Sequence, residues 1–243
     1  STAIGANSSG NGSITATGYA ATAIAGSYAS GTDSFAAAIA NTTSSYGATG
    51  SNSVAIGKNA KAVNTEAVAI GELANATGAR SIALGDQAAT TGSWAVALGH
   101  QSSSSSVYTL ALGYSTSASD NEAVAIGSSS SATKVRSYAW GYQALSAIRG
   151  KFAQAVGNFA AQGDAQSGTF VLRSDTTNAT SEALTTNNIT ASTDNQIILP
   201  NNSAYAFHGT IVARQKAGDG TASAAWKIEG LIRREGSAGT TVL

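Results

Sequence analysis

The ionisable side chains of this sequence are few, and their spacing limits the chemistry that they could perform. The two histidines, His100 and His208, do not form the His-x-x-x-His pair or any other close spacing typical of a zinc site. The chain has no cysteine, which excludes disulfides and thiolate metal sites. We therefore expect no metal site within one chain.

The carboxylates in the central part of the chain are candidates for acid–base chemistry. Cleavage of a glycosidic bond needs two carboxyl groups about 5–9.5 Å apart. The carboxylates here are scattered through turn-like segments: Asp86, Asp120, Glu122, Glu66 and Glu72. Serines are abundant, but no Gly-x-Ser-x-Gly elbow and no phosphate-binding loop occur. We expect no catalytic residue and no cofactor, and we interpret these carboxylates as solvated or stacked charges.

The composition excludes further classes of function. Lys+Arg and Asp+Glu are equal at 13 each, so the formal net charge is +0. A neutral chain lacks the basic surface of a nucleic-acid-binding protein, so we expect no nucleic-acid partner. No segment approaches the ~20 consecutive apolar residues of a spanning helix, so we expect no membrane insertion.

The element that would position these side chains is a repeat between Val54 and Gly141. A large apolar residue, alanine, a second large residue and glycine recur in seven copies. The glycines are 14 residues apart, at Gly57, Gly71, Gly85, Gly99, Gly113, Gly127 and Gly141. A fixed period over several copies is typical of a stacked repeat fold.

One repeat contains two short strands and two turns. Alternation with β-branched residues predicts the first strand, and glycine permits the turn after it. Small residues two positions apart then predict a second, shorter strand. Fourteen residues suffice for one coil of a thin parallel β-roll. Coils stack about 4.8 Å apart, so roughly ten of them would form a rod on the order of 50 Å long.

The alternation also predicts which side chains lie inside the roll. Ala55 faces away from Val54 and Ile56, because successive residues of a strand point to opposite faces. We expect the small residues to fill the interior and the large pairs to lie outside. The predicted outward pairs are Val54, Ile56, Val68, Ile70, Ile82, Leu84, Val96, Leu98, Leu110, Leu112, Val124, Ile126, Tyr138 and Trp140.

An apolar stripe of this size predicts self-association, with three stripes meeting on one axis. The alternative is a wider roll with valine and isoleucine inside, which could be monomeric.

A threefold axis could also gather three copies of His100 into a metal site, which we consider the weaker interpretation because His100 lies in a turn. Trp94 should lie on the same strand face as Val96, for packing rather than as a ligand platform.

The repeated phrases, with Ala or Ser three and five residues after the glycine, resemble the YadA-type head repeats of trimeric autotransporter adhesins. The resemblance covers about residues 20–160. It implies a left-handed parallel β-roll that associates as a homotrimer. Similar repeats also occur in bacteriophage tail fibres, so the repeat does not distinguish a cell surface from a virion.

The segment after the repeats resembles a C-terminal domain of tailed-phage fibre and virion proteins. The resemblance rests on these phrases: Gly163-Asp164-Ala165-Gln166, Phe170-Val171-Leu172-Arg173, Ile211-Val212-Ala213-Arg214 and Ile228-Glu229-Gly230-Leu231-Ile232-Arg233. That domain would run on past its Arg-rich strand, whereas this sequence stops at Leu243. We therefore expect a fragment or a short version of a longer protein.

The fold class that we predict is all-β: a solenoid followed by a small antiparallel β domain. Residues 1–53 should be irregular coils, with degenerate phrases at Ala3-Ile4-Gly5, Ala23-Ile24-Ala25 and Ala38-Ile39-Ala40. Residues 54–163 should be the regular roll, whose last coil ends at Gly157. Residues 164–243 should form a sandwich-like domain that contains a buried strand at 170–172.

Within that domain, two alternating segments predict a hairpin. They are Ala204–Arg214 and Ala224–Arg233, joined by a turn at Gly218-Asp219-Gly220. Tyr205, Phe207 and Ile211 should share one face of the first strand.

The function that we expect is a structural or attachment fibre protein of a tailed-phage virion, a trimeric rod that positions or forms a host-binding surface. Its partners would be sister chains, other fibre or baseplate proteins, and a host receptor or glycan. The head of a bacterial surface adhesin is the first alternative. Ice binding would need a threonine ladder, which the chain lacks, and a polysaccharide-cleaving tailspike is the enzymatic alternative.

Overall fold

The computed structural model describes residues 1–5, 14–39, 45–178, 180–216 and 222–243. Their strands form three sheets, two of which alternate along the chain. The first compact unit is Ser1–Gln196 and the second is Ile197–Leu243. The predicted all-β class, a parallel solenoid of 14-residue coils followed by a small antiparallel sheet, is confirmed.

Sheet 1 has 12 strands, parallel except at its last pair. They are β1 (Thr2–Ile4), β3 (Thr22–Ile24), β5 (Phe35–Ala37), β7 (Val54–Ile56), β9 (Val68–Ile70), β11 (Ile82–Leu84), β13 (Val96–Leu98), β15 (Leu110–Tyr114), β17 (Val124–Ser128), β19 (Tyr138–Tyr142), β21 (Phe152–Val156) and β22 (Gln166–Thr169).

Sheet 2 has 10 shorter strands, which lie between those of sheet 1 along the chain. They are β2 (Thr15–Ala16), β4 (Tyr28–Ala29), β6 (Gly47–Ala48), β8 (Lys61–Ala62), β10 (Asn75–Ala76), β12 (Ala89–Thr90), β14 (Ser103–Ser104), β16 (Ser117–Ala118), β18 (Ser131–Ala132) and β20 (Leu145–Ser146).

Backbone hydrogen bonds join each coil to the next in both sheets. In sheet 1 the Val68 N–H donates to the Ser81 carbonyl at 2.9 Å, and in sheet 2 the Asn75 N–H donates to the Ala88 carbonyl at 2.8 Å. The interior between the sheets is filled by small side chains, because the coil is too narrow for larger ones. Ala55, for example, is fully buried.

Each regular coil turns twice through a residue with left-handed backbone. One such position lies two residues after the repeat glycine, and the other lies two residues before the next sheet 1 strand. In residues 52–143 the φ of the non-glycine residues at both positions is between 49° and 59°. These turns bring successive coils close together. At the repeat glycines, Gly57 to Gly141, a Cβ would clash with the backbone of the next coil. A Cβ on Gly113, for instance, would lie 1.8 Å from the Gly127 carbonyl oxygen.

One strand of the irregular coils lies at a different position from the one predicted. The sheet 1 strand that pairs with Val54–Ile56 is Phe35–Ala37, not the predicted phrase at 38–40. Ala38 has a φ of 54°, which breaks the alternation, and Ile39 is fully buried. Ala40 lies outside the described residues.

At the other end of the roll, the 14-residue period continues further than predicted. Phe152 pairs with Tyr138, and Ala155 with Gly141, so Gly157 is not the counterpart of the repeat glycine. The chain then reverses, and β22 pairs antiparallel with β21. The predicted strand at 170–172 is wrong, since Val171 is 77% exposed and lies outside the strands.

The first unit continues past the predicted domain boundary at 163. Asp194 forms ion pairs with Lys134 at 2.8 Å and with Arg149 at 3.2 Å. Asn195 is buried and donates to the Asn187 side chain at 2.8 Å. These contacts hold residues 185–195 against the last coils.

The second unit contains a two-stranded antiparallel sheet. Its strands are β23 (Ser203–Arg214) and β24 (Ser223–Arg234), with Ser203 paired to Arg234 and Arg214 to Ser223. A short 3-10 helix spans Ala238–Thr240. The described residues of this unit form a single layer rather than the expected sandwich, and the predicted turn at 218–220 lies outside the described residues.

Candidate association surface

The outward face of sheet 1 is an apolar surface that follows the length of the regular roll. On each three-residue strand of residues 54–98 the central alanine is buried, and its two large neighbours are partly or largely exposed. Ile82 and Leu84 are 39% and 42% exposed. The structure therefore places the predicted pairs outside the roll, whereas their position on a trimer axis stays a prediction.

Strand register aligns these side chains in two columns. Ile82 pairs with Val68 on one side and Val96 on the other, and Leu84 pairs likewise with Ile70 and Leu98. The columns continue through the later coils, where the first ends with Tyr138 paired to Phe152 and the second with Trp140 paired to Gln154. Eight rungs at ~4.8 Å make a stripe about 34 Å long.

The outward face of sheet 2 is different in character. From β8 onwards the first residue of each strand is half-buried, and most of these residues are polar or small: Lys61, Asn75, Ala89, Ser103, Ser117, Ser131 and Leu145. A single roll therefore has one apolar and one mainly polar outer face. This asymmetry is typical of a surface that is covered on one side by another molecule.

Sheet 1 widens towards the C-terminal end of the roll, beside the two apolar columns, which the repeat phrase did not predict. From β15 to β21 the sheet 1 strands are five residues long and continue through the repeat glycine position. They add a third column, in which Tyr114 pairs with Ser128 and Ser128 with Tyr142. The identity of the residue after each glycine was the only sequence signal for this column.

One turn edge of the roll carries a ladder of charged and aromatic side chains 14 residues apart. Glu66 bonds Arg80 at 3.0 Å, Arg80 lies 5.3 Å from the Trp94 ring centroid, and Trp94 stacks on Tyr108 with centroids 5.2 Å apart. The prediction for Trp94 was wrong, because its φ of 53° places it in the turn and not on the strand face of Val96.

The other turn edge carries a second ladder. Lys58 bonds Glu72 at 2.7 Å, and His100 Nδ1 lies 3.0 Å from Asp86 Oδ2. His100 therefore pairs with a carboxylate in its own chain. Groups of three or more metal-ligating side chains do not occur among the described residues.

The carboxylates that we considered for catalysis have local partners instead. Glu66, Glu72 and Glu122 each bond a cation on a neighbouring coil. The hydrogen bonds of Arg136 lower the pKa of Glu122 below its usual value, so this group stays ionised at neutral pH. A general acid needs the opposite shift, since its proton must be retained near pH 7.

The C-terminal end of the roll is closed by side chains that sequence reasoning missed. The Gln166 side-chain amide accepts from the Leu145 N–H and donates to the Leu145 carbonyl, both at 2.9 Å. It thus makes the backbone hydrogen bonds that a further strand beside β20 would make. The Asp164 carboxylate accepts three backbone N–H groups at 159–161, and these bonds lower its pKa. Lys151 occupies an interior position of the last coil, is 8% exposed and donates to Leu145 O at 3.2 Å.

The hairpin of the second unit has its own apolar face. Tyr205 pairs with Ile232 and Ile211 with Trp226, while Phe207 faces Gly230. The first strand alternates between half-buried and exposed residues as predicted, whereas Trp226 is 51% exposed. Isolated two-stranded sheets are at best marginally stable in water.

Five overlapping segments of the roll match a known repeat family. Residues 48–130 match the YadA head domain repeat. The matched segments are 48–71, 62–88, 76–102, 91–116 and 104–130. None of the curated proteins compared with the chain matches it.

YadA head repeats in a β-solenoid are typical of structural adhesin and fibre-head proteins rather than of enzymes. The match covers about a third of the chain and does not extend to the C-terminal segment. In the described part of the chain, no helix has the apolar length required to span a bilayer.

Proposed function

We propose that this chain is a homotrimeric, non-enzymatic fibre segment of a tailed-phage virion. One observation carries the proposal: the two outer faces of the same roll differ, apolar on sheet 1 and mainly polar on sheet 2. A stripe of large apolar side chains of this length is rarely left in water by a soluble monomer. Association of the stripes would bury them and leave the polar faces outside.

The number of chains is supported by the resemblance to trimeric adhesin heads. Cyclic symmetry closes such an assembly, because each chain then presents the same stripe to the axis. In this assembly residues 1–53 and 54–163 form the rod. Residues 164–243 join it to other fibre or baseplate proteins, and any receptor contact uses the outer turns.

A test of the assembly introduces charge into the stripe. Ile70 and Leu84 are paired neighbours in sheet 1, so the double variant Ile70→Asp, Leu84→Asp would place six carboxylates on a dry axis. We expect the wild-type protein to sediment at three times the chain mass and the variant at one. Ser103→Asp with Ser117→Asp is the matched control, because this pair adds the same charge to sheet 2.

Trimers of undiminished stability in the Ile70→Asp, Leu84→Asp variant would contradict the face assignment. A wild-type protein with the mass of a single chain would contradict the assembly itself.

The adhesin head is the second candidate, because the YadA repeat match favours it equally. What supports the virion is the resemblance of the C-terminal segment to phage fibre domains. Immunogold electron microscopy with an antibody against the roll distinguishes the two. Label on purified virions is the expected result, and label confined to bacterial surfaces would favour the adhesin.

A further inference from the structure

The third column of sheet 1 contains a gap between two aromatic rings. Tyr114, Ser128 and Tyr142 occupy the same position on β15, β17 and β19 and pair directly with one another. Successive rungs are ~4.8 Å apart, so the tyrosines lie about 9.6 Å apart with a serine between them. They are 54% and 47% exposed. We call these three residues the tyrosine gap.

The first ring is held with one face towards the gap. The other face of Tyr114 stacks on His100, with centroids 5.4 Å apart and an interplanar angle of 18°. His100 belongs to the preceding coil, since its carbonyl accepts from the Ser115 N–H at 2.9 Å. The free face of Tyr114 must therefore point towards Ser128.

The second ring has contacts on its own coil and beyond it. Gln143 Nε2 donates to the Tyr142 hydroxyl at 3.3 Å. Gly157 lies behind the ring, since a Cβ there would be 3.9 Å from Tyr142 Cδ1. Both tyrosines thus stand on strands of one hydrogen-bonded sheet, which fixes the spacing of their backbones.

Polar groups border the gap. The hydroxyls of Ser128 and Ser129 have no hydrogen-bond partner among the described residues. Beside them, Ser115 Oγ donates to Gln101 Oε1 at 3.2 Å, within a ladder of amides and hydroxyls along the turn. A wholly apolar occupant would leave the serine hydroxyls without partners, at a cost in free energy.

We propose that the tyrosine gap binds one pyranose ring of a glycan. A ring midway between the tyrosines would lie about 4.8 Å from each, close to the 4.0–4.5 Å contact distance of apolar atoms. Its C–H faces would pack on the two aromatic rings, and its hydroxyls would bond Ser128 and Ser129. The choice of a glycan rests on the proposed attachment function and names the ligand class of that function.

The test is a titration of the assembled protein with maltohexaose, cellohexaose and isomaltohexaose, followed by calorimetry. The gap recognises features common to pyranose rings, so we expect weak binding of each sugar. Ser128→Tyr would fill the gap with a third ring while retaining both tyrosines, and it should weaken binding at least tenfold. Ser131→Tyr, on sheet 2, is the matched control and should bind as the wild type does.

Two results would overturn the proposal: no binding of any of the three sugars by the wild type, or unchanged affinity in Ser128→Tyr. A Ser128→Tyr variant that loses its oligomeric mass would assign the gap to a sister chain instead. Failure of the proposed assembly is a separate result, because it appears as a single-chain mass of the wild type whether or not sugars bind.

Discussion

The buried residue that departs most from the pattern of the roll is Lys151. Its position is equivalent to Ser137 and Ala123 in the preceding coils, where small side chains fill the interior. At the end of the roll no further coil lies above it, so the longer side chain fits against Phe170, 5.9 Å from the ring centroid. Burial lowers the pKa of Lys151 from 10.5 to about 8.

This shift predicts a pH dependence of stability. The folded pKa of Lys151 is below the unfolded value, so the ionised lysine opposes folding. The whole penalty is present below pH 8 and disappears as the pH rises towards 10.5. At about 1.4 kcal/mol for each pKa unit, the penalty is roughly 3 kcal/mol. Lys151→Met should therefore raise the melting temperature at pH 7 and flatten its pH dependence between 8 and 10.

Lys61→Met is the control for this prediction, because Lys61 lies on the outer face of sheet 2. It should melt with the pH dependence of the wild type. A Lys151→Met variant that still gains stability between pH 8 and 10 would show that another group causes the dependence.

At the scale of the strands, close contact between coils explains the glycine in each repeat. Gly127 has a φ of 123°, and a Cβ there would lie 2.0 Å from the Gly141 carbonyl oxygen. The neighbouring atom is backbone held in a ladder of hydrogen bonds, so it cannot move aside at low cost. The glycine thus permits both the unusual φ and the parallel stacking of successive strands.

Gly127→Ala should therefore destabilise the roll by about 1–3 kcal/mol, from backbone strain and from separation of two coils. The measurement is thermal or denaturant unfolding followed by circular dichroism. Gly236→Ala is the matched control, because no atom of the described residues lies within 4 Å of the added methyl group. Equal stabilities of the two variants would contradict this account of the repeat.

The ladders of charged side chains along the turns contribute less to the stability of the stacked coils than this close packing does. Their ion pairs, such as Glu122 with Arg136 at 2.8 Å, are largely exposed and join successive coils. Exposed pairs of this kind contribute little to stability, so the coils are held together mainly by backbone hydrogen bonds and buried alanines.

For the whole molecule, the unequal outer faces lead us to expect that stability depends on the proposed association. Anything that binds the folded chain but not the unfolded chain raises the melting temperature by mass action, and in the proposed assembly a sister chain is such a ligand. The apolar hairpin face of the second unit, with Tyr205 and Trp226, adds surface that favours the same outcome.

We therefore predict that the melting temperature rises with protein concentration. Calorimetry over a hundredfold range of concentration measures this dependence. The Ile70→Asp, Leu84→Asp variant should show none and should melt lower than the wild type. A wild-type melting temperature that is constant over this range would indicate a stable monomer.

The regular coils could be predicted from local patterns. The 14-residue spacing, the alternation around Ala55 and the glycine at Gly57 are properties of a few neighbouring residues, and strand geometry converts them directly into a parallel stack with alanine inside. The hairpin at 203–234 was predictable for the same reason, because alternation and a turn signal are local.

Other features depend on backbone angles and on contacts between distant residues. Left-handed turns place Trp94 in a ladder and Ile39 in the interior, and no residue type at those positions signals a positive φ. The closure of the roll by Gln166 arises from residues that lie outside the 14-residue spacing. Periodicity along the chain contains no information on this contact, because it is set by where the stack of coils ends and how the chain then reverses.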